Sequence, residues 1–252
     1  MLKKLSRALT PTAVRDWFHW QRMLWDCPGF SRADLEGAYR QVTLGLDLDR
    51  LAWLTEETRS WRQKDPRSPA KYYDAGHWLR IALRNAAFLE LHRRTELRVL
   101  DVGCGPGWFM AACRHFGHDV DGLDLPYAMM DEVSARAYRD LTGFLDLRDR
   151  VMELRIEAFT PMPLRQDYDL IVAFLVCFNN HKQPDTWGAR EWEFFLNDAT
   201  ARLRPGGRLY MQLNSDRPRF GERVFYDAET LDLFRARGEV KGKMVDIRKP
   251  PA

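Results

Sequence analysis

Two acids and one glycine-rich turn are the residues of this chain best suited to holding a ligand. Asp101 sits in the apolar run Val99-Leu100-Asp101-Val102, and Gly103-Cys104-Gly105-Pro106-Gly107 follows at once. An apolar run of this kind has the form of a buried parallel strand, and Met110 to Phe116 suits a helix. Strand, tight turn and helix N-terminus together let a backbone come close to a nucleotide-like ligand. Glycines at 103 and 105 remove the Cβ atoms that would block that approach, and Pro106 with Gly107 fits a helix start. Asp124 lies 21 positions after Gly103, at the end of a second apolar segment. A carboxylate there can accept hydrogen bonds from both hydroxyls of a ribose. Asp121 shares that segment, but strand alternation puts 121 and 124 on opposite faces, and only 124 is at the strand end.

The spacing departs from the dinucleotide fingerprint G-x-G-x-x-G/A. Counted from Gly103, the third small residue falls on Trp108, while Gly107 comes one place early. A nicotinamide or flavin cofactor has a pyrophosphate to seat on the helix N-terminus. S-adenosylmethionine has none; it carries a sulfonium and an ammonium, and an acid at the strand end suits the ammonium. The stretch resembles motif I of the class I S-adenosylmethionine-dependent methyltransferases. The resemblance implies a doubly wound, mostly parallel α/β sheet of Rossmann-like form with S-adenosylmethionine as cofactor. It implies further that Asp101, Gly103, Cys104 and Gly105 surround the methionine part. Asp124, with Leu125 beside it, would take the ribose, and Glu157-Ala158 after the third strand would hold the adenine amino edge. Phe174, ending the fourth strand, would lie beside the reactive methyl. Lys71 and Tyr72 enter a helix that precedes the first strand, where family members often cover the cofactor; the competing reading is a pair of exposed residues at a helix entrance.

Arg204-Pro205-Gly206-Gly207 resembles the family's turn into strand five, and the likeness spans about residues 71–248. Two departures stand out. Residue 157 is Glu where Asp is commoner, so a plain strand-end Glu is the alternative there. Only Val240 to Arg248 reads as a strand where the family carries an antiparallel pair, so a shortened sheet edge is expected. The loop after strand four reads Cys177-Phe178-Asn179-Asn180-His181, not the Asn/Asp-Pro-Pro-Tyr of many nitrogen methyltransferases. His181 can take a proton from an attacking hydroxyl, since imidazole titrates near neutrality. Asn179 and Asn180 can orient a polar acceptor; the competing reading of His181 is a solvent-facing loop histidine. His115 and His118 lack a third ligand, so no metal site is expected.

The elements that must position these residues follow in order. Strands are expected at Arg98–Val102, Asp119–Asp124, Val151–Glu157, Tyr168–Phe174 and Arg208–Leu213. Helices are expected at His77–His92, Trp108–Phe116, Tyr127–Asp140 (with Thr142-Gly143 as its stop), Ala189–Leu203 and Asp227–Arg237. Strands alternating with helices imply a parallel sheet covered on both faces. Residues 1–70 read as a helical N-terminal extension or cap, and 71–252 as the methyltransferase domain. The first of its helices runs through Val14, Trp17, Phe18, Gln21, Leu24 and Trp25. The next covers Ala33 to Val42, and the third begins at Asp47 or Asp49 and carries Leu51, Leu54, Thr58 and Trp61 on one face. Its tryptophans either pack on the domain or a partner chain, or meet a membrane surface with Lys3, Lys4, Arg7, Arg15 and Arg22.

The chain of 252 residues is 45% hydrophobic and 30% charged, the composition of a globular protein. Its net charge of +3 is too small to argue for a nucleic-acid partner, and none is expected. Residues 1–10 hold no continuous apolar stretch, so no signal peptide is expected. Four scattered cysteines, Cys27, Cys104, Cys113 and Cys177, read as thiols of a reducing, cytoplasmic compartment. The expected activity is methylation of an oxygen on a small molecule or sugar. Alternatives are a protein or lipid-linked acceptor docked by residues 1–65, a cofactor-binding protein without catalysis, and a nicotinamide-dependent oxidoreductase. The oligomeric state is left open.

Overall fold

A computed structural model describes residues 27, 29–64, 69–164, 167–176, 178, 187–213, 226–242 and 244–252. Its strands are β1 (Arg98–Val102), β2 (Asp119–Asp124), β3 (Val151–Glu153), β4 (Tyr168–Phe174), β5 (Leu203–Gln212), β6 (Glu239–Lys241) and β7 (Met244–Arg248). Among the described residues they form one seven-stranded sheet in the order β3-β2-β1-β4-β5-β7-β6. The first five are parallel, and β7 enters antiparallel between β5 and β6. Strand order reverses between β1 and β4, the crevice where open α/β sheets bind ligands at the carboxyl ends. The described helices are α1 (Arg32–Thr43), α2 (Leu48–Glu57), α3 (Arg59–Lys64), α4 (Ala75–Phe88), α5 (Trp108–His115), α6 (Glu132–Phe144), α7 (Ala189–Ala201) and α8 (Ala228–Arg237).

Strand alternation divides the core into two layers. Val99, Leu170, Val172 and Tyr210 pack with Leu79 and Leu83 of α4 and Met110 and Ala112 of α5. Leu100, Val102, Ile171, Ala173, Leu209 and Met211 pack on the other face with Trp192, Phe195 and Leu196 of α7 and Phe234 of α8. Burying each such large apolar side chain contributes about 1.5–3 kcal/mol. Leu35 of α1 and Leu51 and Leu54 of α2 join the first of these layers, so the described N-terminal helices extend the core beside α4. Asp47, Asp74, Asp131 and Asp227 each accept a backbone N–H at the start of a helix, and Ser31 forms a reciprocal capping box with Asp34.

The structure corrects several expected boundaries. Strand three stops at Glu153, not Glu157, because its partner β2 ends at Asp124; the last rung is Asp124 opposite Glu153. The helix expected from Tyr127 begins with a 3-10 turn, Tyr127–Met129, and only then with α6. Thr142-Gly143 lies inside α6: the Thr142 hydroxyl donates to the Tyr138 carbonyl at 2.8 Å. The stop comes later. Leu147 N–H bonds the Thr142 carbonyl and Asp146 N–H the Gly143 carbonyl, a Schellman closure with left-handed Asp146 in the usual glycine place. At the far edge, Val240–Arg248 divides at Gly242 into β6 and β7, so the sheet edge is not shortened and the antiparallel pair is present. Residues 204–207 are a bulge inside β5: Tyr168 pairs Leu203, then Leu170 pairs Arg208. α4 ends at Phe88, and Leu91–Arg93 form a separate 3-10 turn. The helix expected through Val14 to Trp25 lies outside the described residues.

Candidate functional site

The ends of β1 and β2 form the centre of the site. The turn after β1 is drawn onto β2 by Gly103 and Cys104, whose N–H groups both donate to the Leu123 carbonyl at 2.8 and 2.9 Å. Gly103 has φ +73°, and a Cβ there would lie 2.4 Å from a Val176 methyl carbon. Gly105 has φ +56°, with the Tyr138 hydroxyl 3.8 Å from where its Cβ would be. Only glycine takes these positions without strain. Asp124 stitches the arrangement: one carboxylate oxygen accepts from Gly105 N–H at 2.5 Å and the other from Leu125 N–H at 2.7 Å.

Asp101 is 2% exposed. Burial, with Asp124 nearby, pushes its carboxyl up to about 8. Burial also raises Asp124, against the hold of the Leu125 and Gly105 N–H groups. Burial, with the Asp124 charge adding to it, therefore holds the proton on Asp101 at neutral pH, and a cation beside this carboxyl would favour its release. Among the described residues no lysine, arginine or histidine forms an ion pair with Asp101. The Cys104 thiol is buried and pushed well up by burial and by both acids, so it stays a thiol and is no nucleophile. Asp121, as strand alternation required, faces elsewhere: it accepts from the Tyr168 hydroxyl at 3.1 Å and pairs with Arg150 at 3.1 Å.

A 3-10 turn, Pro69–Tyr73, closes one side. Two indoles pin it. Trp78 of α4 donates to the Lys71 carbonyl at 2.8 Å, and Trp108 of α5 donates to the Tyr72 carbonyl at 3.0 Å. The residue that broke the dinucleotide spacing thus anchors the lead-in turn to the glycine loop. Lys71 Nζ lies over the Tyr72 and Trp78 rings, 5.0 and 5.5 Å from their centroids. The Tyr72 ring meets Tyr138 edge to face at 5.9 Å, and burial, with Asp124 adding, pushes both hydroxyls up. Lys71, Tyr72, Cys104, Gly105 and Asp124 are therefore brought together, and Tyr138 joins them. Sequence reasoning missed Tyr138; its only signal was a tyrosine on the inner face of the helix after β2.

Other expected site residues are placed differently. Phe174 ends β4 and meets Phe109 at 4.9 Å and Tyr210 at 6.0 Å. Leu125 is exposed just beyond Asp124. Glu157 and Ala158 lie past the end of β3, not on it; Glu157 is exposed and pairs with Arg155 at 3.4 Å. Asn179, Asn180 and His181 lie outside the described residues. A cavity of about 150 Å³ opens beside Phe174, at the carboxyl ends of β4 and β5, lined also by Arg84, Phe88, Tyr210, Gln212 and Met244. A larger cleft of about 510 Å³, lined by Asp140, Asp146, Arg148 and Asp149, opens at the amino end of β3, away from the strand ends that carry the acids. Of the expected site residues, Phe174 lines the smaller cavity and none lines the larger.

The family model for a methyltransferase domain matches residues 70–229, more than half of the chain. The chain belongs to the S-adenosylmethionine-dependent methyltransferases. Over 43 residues it is 46% identical to the malonyl-[acyl-carrier protein] O-methyltransferase of Erwinia billingiae, a stretch covering 17% of each protein. An O-methyltransferase family protein from Burkholderia thailandensis is similar in structure with 17% identity and a TM-score of 0.46, over 77% of this chain and 63% of that one. An amino pentose methyltransferase from Micromonospora echinaspora, solved with its cofactor bound, is similar at 22% identity and a TM-score of 0.39, over 57% of this chain and 53% of that one. The chain thus spans less than two thirds of these relatives.

The cradle of this methyltransferase fits the family's cofactor, S-adenosylmethionine. Asp101 is a buried acid without a counter-charge among the described residues, and the ligand offers an ammonium. The turn at Gly103 has no space for even one added carbon.

Proposed function

We propose that this protein methylates an oxygen atom of a small molecule or sugar, using S-adenosylmethionine. The observation that carries the reading is the pair of acids, buried Asp101 and Asp124, on adjacent strand ends around a turn that excludes side chains. When bound, the cofactor supplies a methyl group already activated by its sulfonium. The chain then has to hold, orient and exclude water. Asp101 with the 103–105 turn takes the methionine ammonium, Asp124 with Leu125 the ribose, and Glu157 with Ala158 the adenine edge. Lys71 and Tyr72 cover the cradle. Phe174 walls the reacting end, Asn179 and Asn180 orient the acceptor, and His181 accepts its proton. Placing an acceptor oxygen in line with the methyl group supplies most of the rate.

The small cavity beside Phe174 supports a compact acceptor, and its aromatic walls suit a ring. Residues 1–70 act as a cap on the domain of residues 71–252, in a cytoplasmic enzyme. A second reading, an acceptor carried on a protein or lipid, is favoured by the local match to an enzyme named for an acyl-carrier-protein acceptor. Cell extract incubated with the enzyme and methyl-labelled cofactor, then examined by untargeted mass spectrometry, decides between them. Label in small molecules is expected; label confined to protein or lipid fractions favours the second reading. No release of adenosylhomocysteine from any pool would leave a binding protein without catalysis.

A further inference from the structure

Arginines on the described helices and strands mostly face acids. Arg80 of α4 clasps Glu36 through two nitrogens, at 2.9 and 2.8 Å. Arg208 of β5 clasps Asp246 the same way, both at 2.8 Å. Arg202 pairs with Asp198 at 2.8 Å. Arg84, one turn after Arg80, differs. It is half-buried and lines the cavity at the ends of β4 and β5. Among the described residues its side chain makes one hydrogen bond, from Nη2 to the neutral Asn85 amide oxygen at 3.1 Å, and no ion pair. A guanidinium carries five N–H donors, and most of this fork is left for a ligand. A half-buried charge without a counter-charge is unfavourable, and an anion in the cavity would relieve it.

The rest of the cavity gives that anion a body. Phe88, Phe174, Tyr210 and Met244 supply apolar walls, and Gln212 a polar one. Phe88 and Phe174 each stand against the Tyr210 ring, at 5.8 and 6.0 Å. A volume of about 150 Å³ is that of a site that admits a benzene-sized group. Phe174 belongs to the cavity and also touches Phe109 in the first turn of α5, just after the glycine turn. Phe174 thus links the cavity to the helix that follows the glycine turn. We infer that the methyl acceptor is a compact carboxylic acid whose carboxylate is clasped by Arg84 and whose apolar part lies between Phe88, Phe174 and Tyr210. The inference rests on the methyltransferase reading and deepens it. Arg84 sets specificity for the acid.

The test uses the full-length protein, saturated with adenosylhomocysteine, and matched probes: benzoate and 4-hydroxybenzoate against benzamide and 4-hydroxybenzamide. Binding is read by ligand-observed NMR and calorimetry, without turnover. The acids are expected to bind more tightly than the amides. Arg84→Gln should weaken the acids by about tenfold or more, the worth of a charge-assisted hydrogen bond, and leave the amides unchanged. Arg84→Lys keeps the charge but loses the fork, and should fall between. Adenosylhomocysteine affinity should match the parent and the melting temperature of Arg84→Gln should be no lower than the parent's, which separates a lost clasp from a misfolded variant. Equal binding of acids and amides by the parent, no binding of either, or acid binding that survives Arg84→Gln overturns the inference. A parent protein that fails to bind adenosylhomocysteine overturns the cofactor reading instead.

Discussion

Adenosylhomocysteine should bind about tenfold more tightly for each pH unit between 6 and 7, because Asp101 must lose a proton to receive it. In the ligand-free protein the Asp101 carboxyl titrates at about 8, raised by burial and by Asp124. At pH 6 about 1% of the molecules carry the charged form, and at pH 7 about 9%. The ligand's ammonium favours the carboxylate, so the apparent affinity scales with that fraction. The change is about 1.3 kcal/mol across the interval, and close to one proton is released per ligand bound. Calorimetry in buffers of different ionisation enthalpy counts that proton directly. The ligand's amino group stays protonated over this range, so it does not add to the count. Asp101→Asn should abolish both the pH dependence and the proton release, and weaken binding at pH 8. An affinity flat from pH 6 to 8, with no proton released, would refute the reasoning.

The same carboxyl makes a stability statement. Its folded value lies above its ordinary value of 3.8, so the folded state holds a proton that the unfolded chain gives up between about pH 4 and 8. Stability from this group therefore falls as pH rises through that window, and Asp101→Asn should raise the melting temperature at pH 8. Gly103→Ala places a methyl group 2.4 Å from Val176 at a positive φ, and should destabilise the fold by about 1–3 kcal/mol and abolish cofactor binding; denaturant melts and calorimetry report the two effects. Trp108→Phe leaves the Tyr72 carbonyl without its indole donor, and should cost about 1–3 kcal/mol and speed amide exchange in residues 69–73. His181→Ala should lower the methyl-transfer rate by about a hundredfold if it is the base, with cofactor affinity unchanged; a rate within severalfold of the parent would leave positioning as the source of catalysis.

The strands and the glycine turn of the candidate cradle were legible in the chain because they are local. Val99 to Val102 and Tyr168 to Phe174 are apolar runs whose burial on both faces follows from being central parallel strands. The glycines at 103 and 105 announce a backbone that no side chain can share, and Asp124 follows at the interval that one helix and one strand impose. The boundaries that came out differently depend on partners. Strand three is as long as β2 allows, residues 240–248 become two strands once β7 has β5 and β6 to pair with, and α6 runs on through Gly143 until Asp146 turns left-handed. No local pattern points to Tyr138 beside Gly105, to Trp108 holding the Tyr72 carbonyl, or to Arg84 at the end of β4. Each contact joins residues more than 30 positions apart, and helix periodicity says which face is buried but not what it meets. Asp101 combines both. Its place at the end of β1 can be read from the sequence, whereas its proton is held by burial beside Asp124, which exists only once β1 and β2 lie side by side.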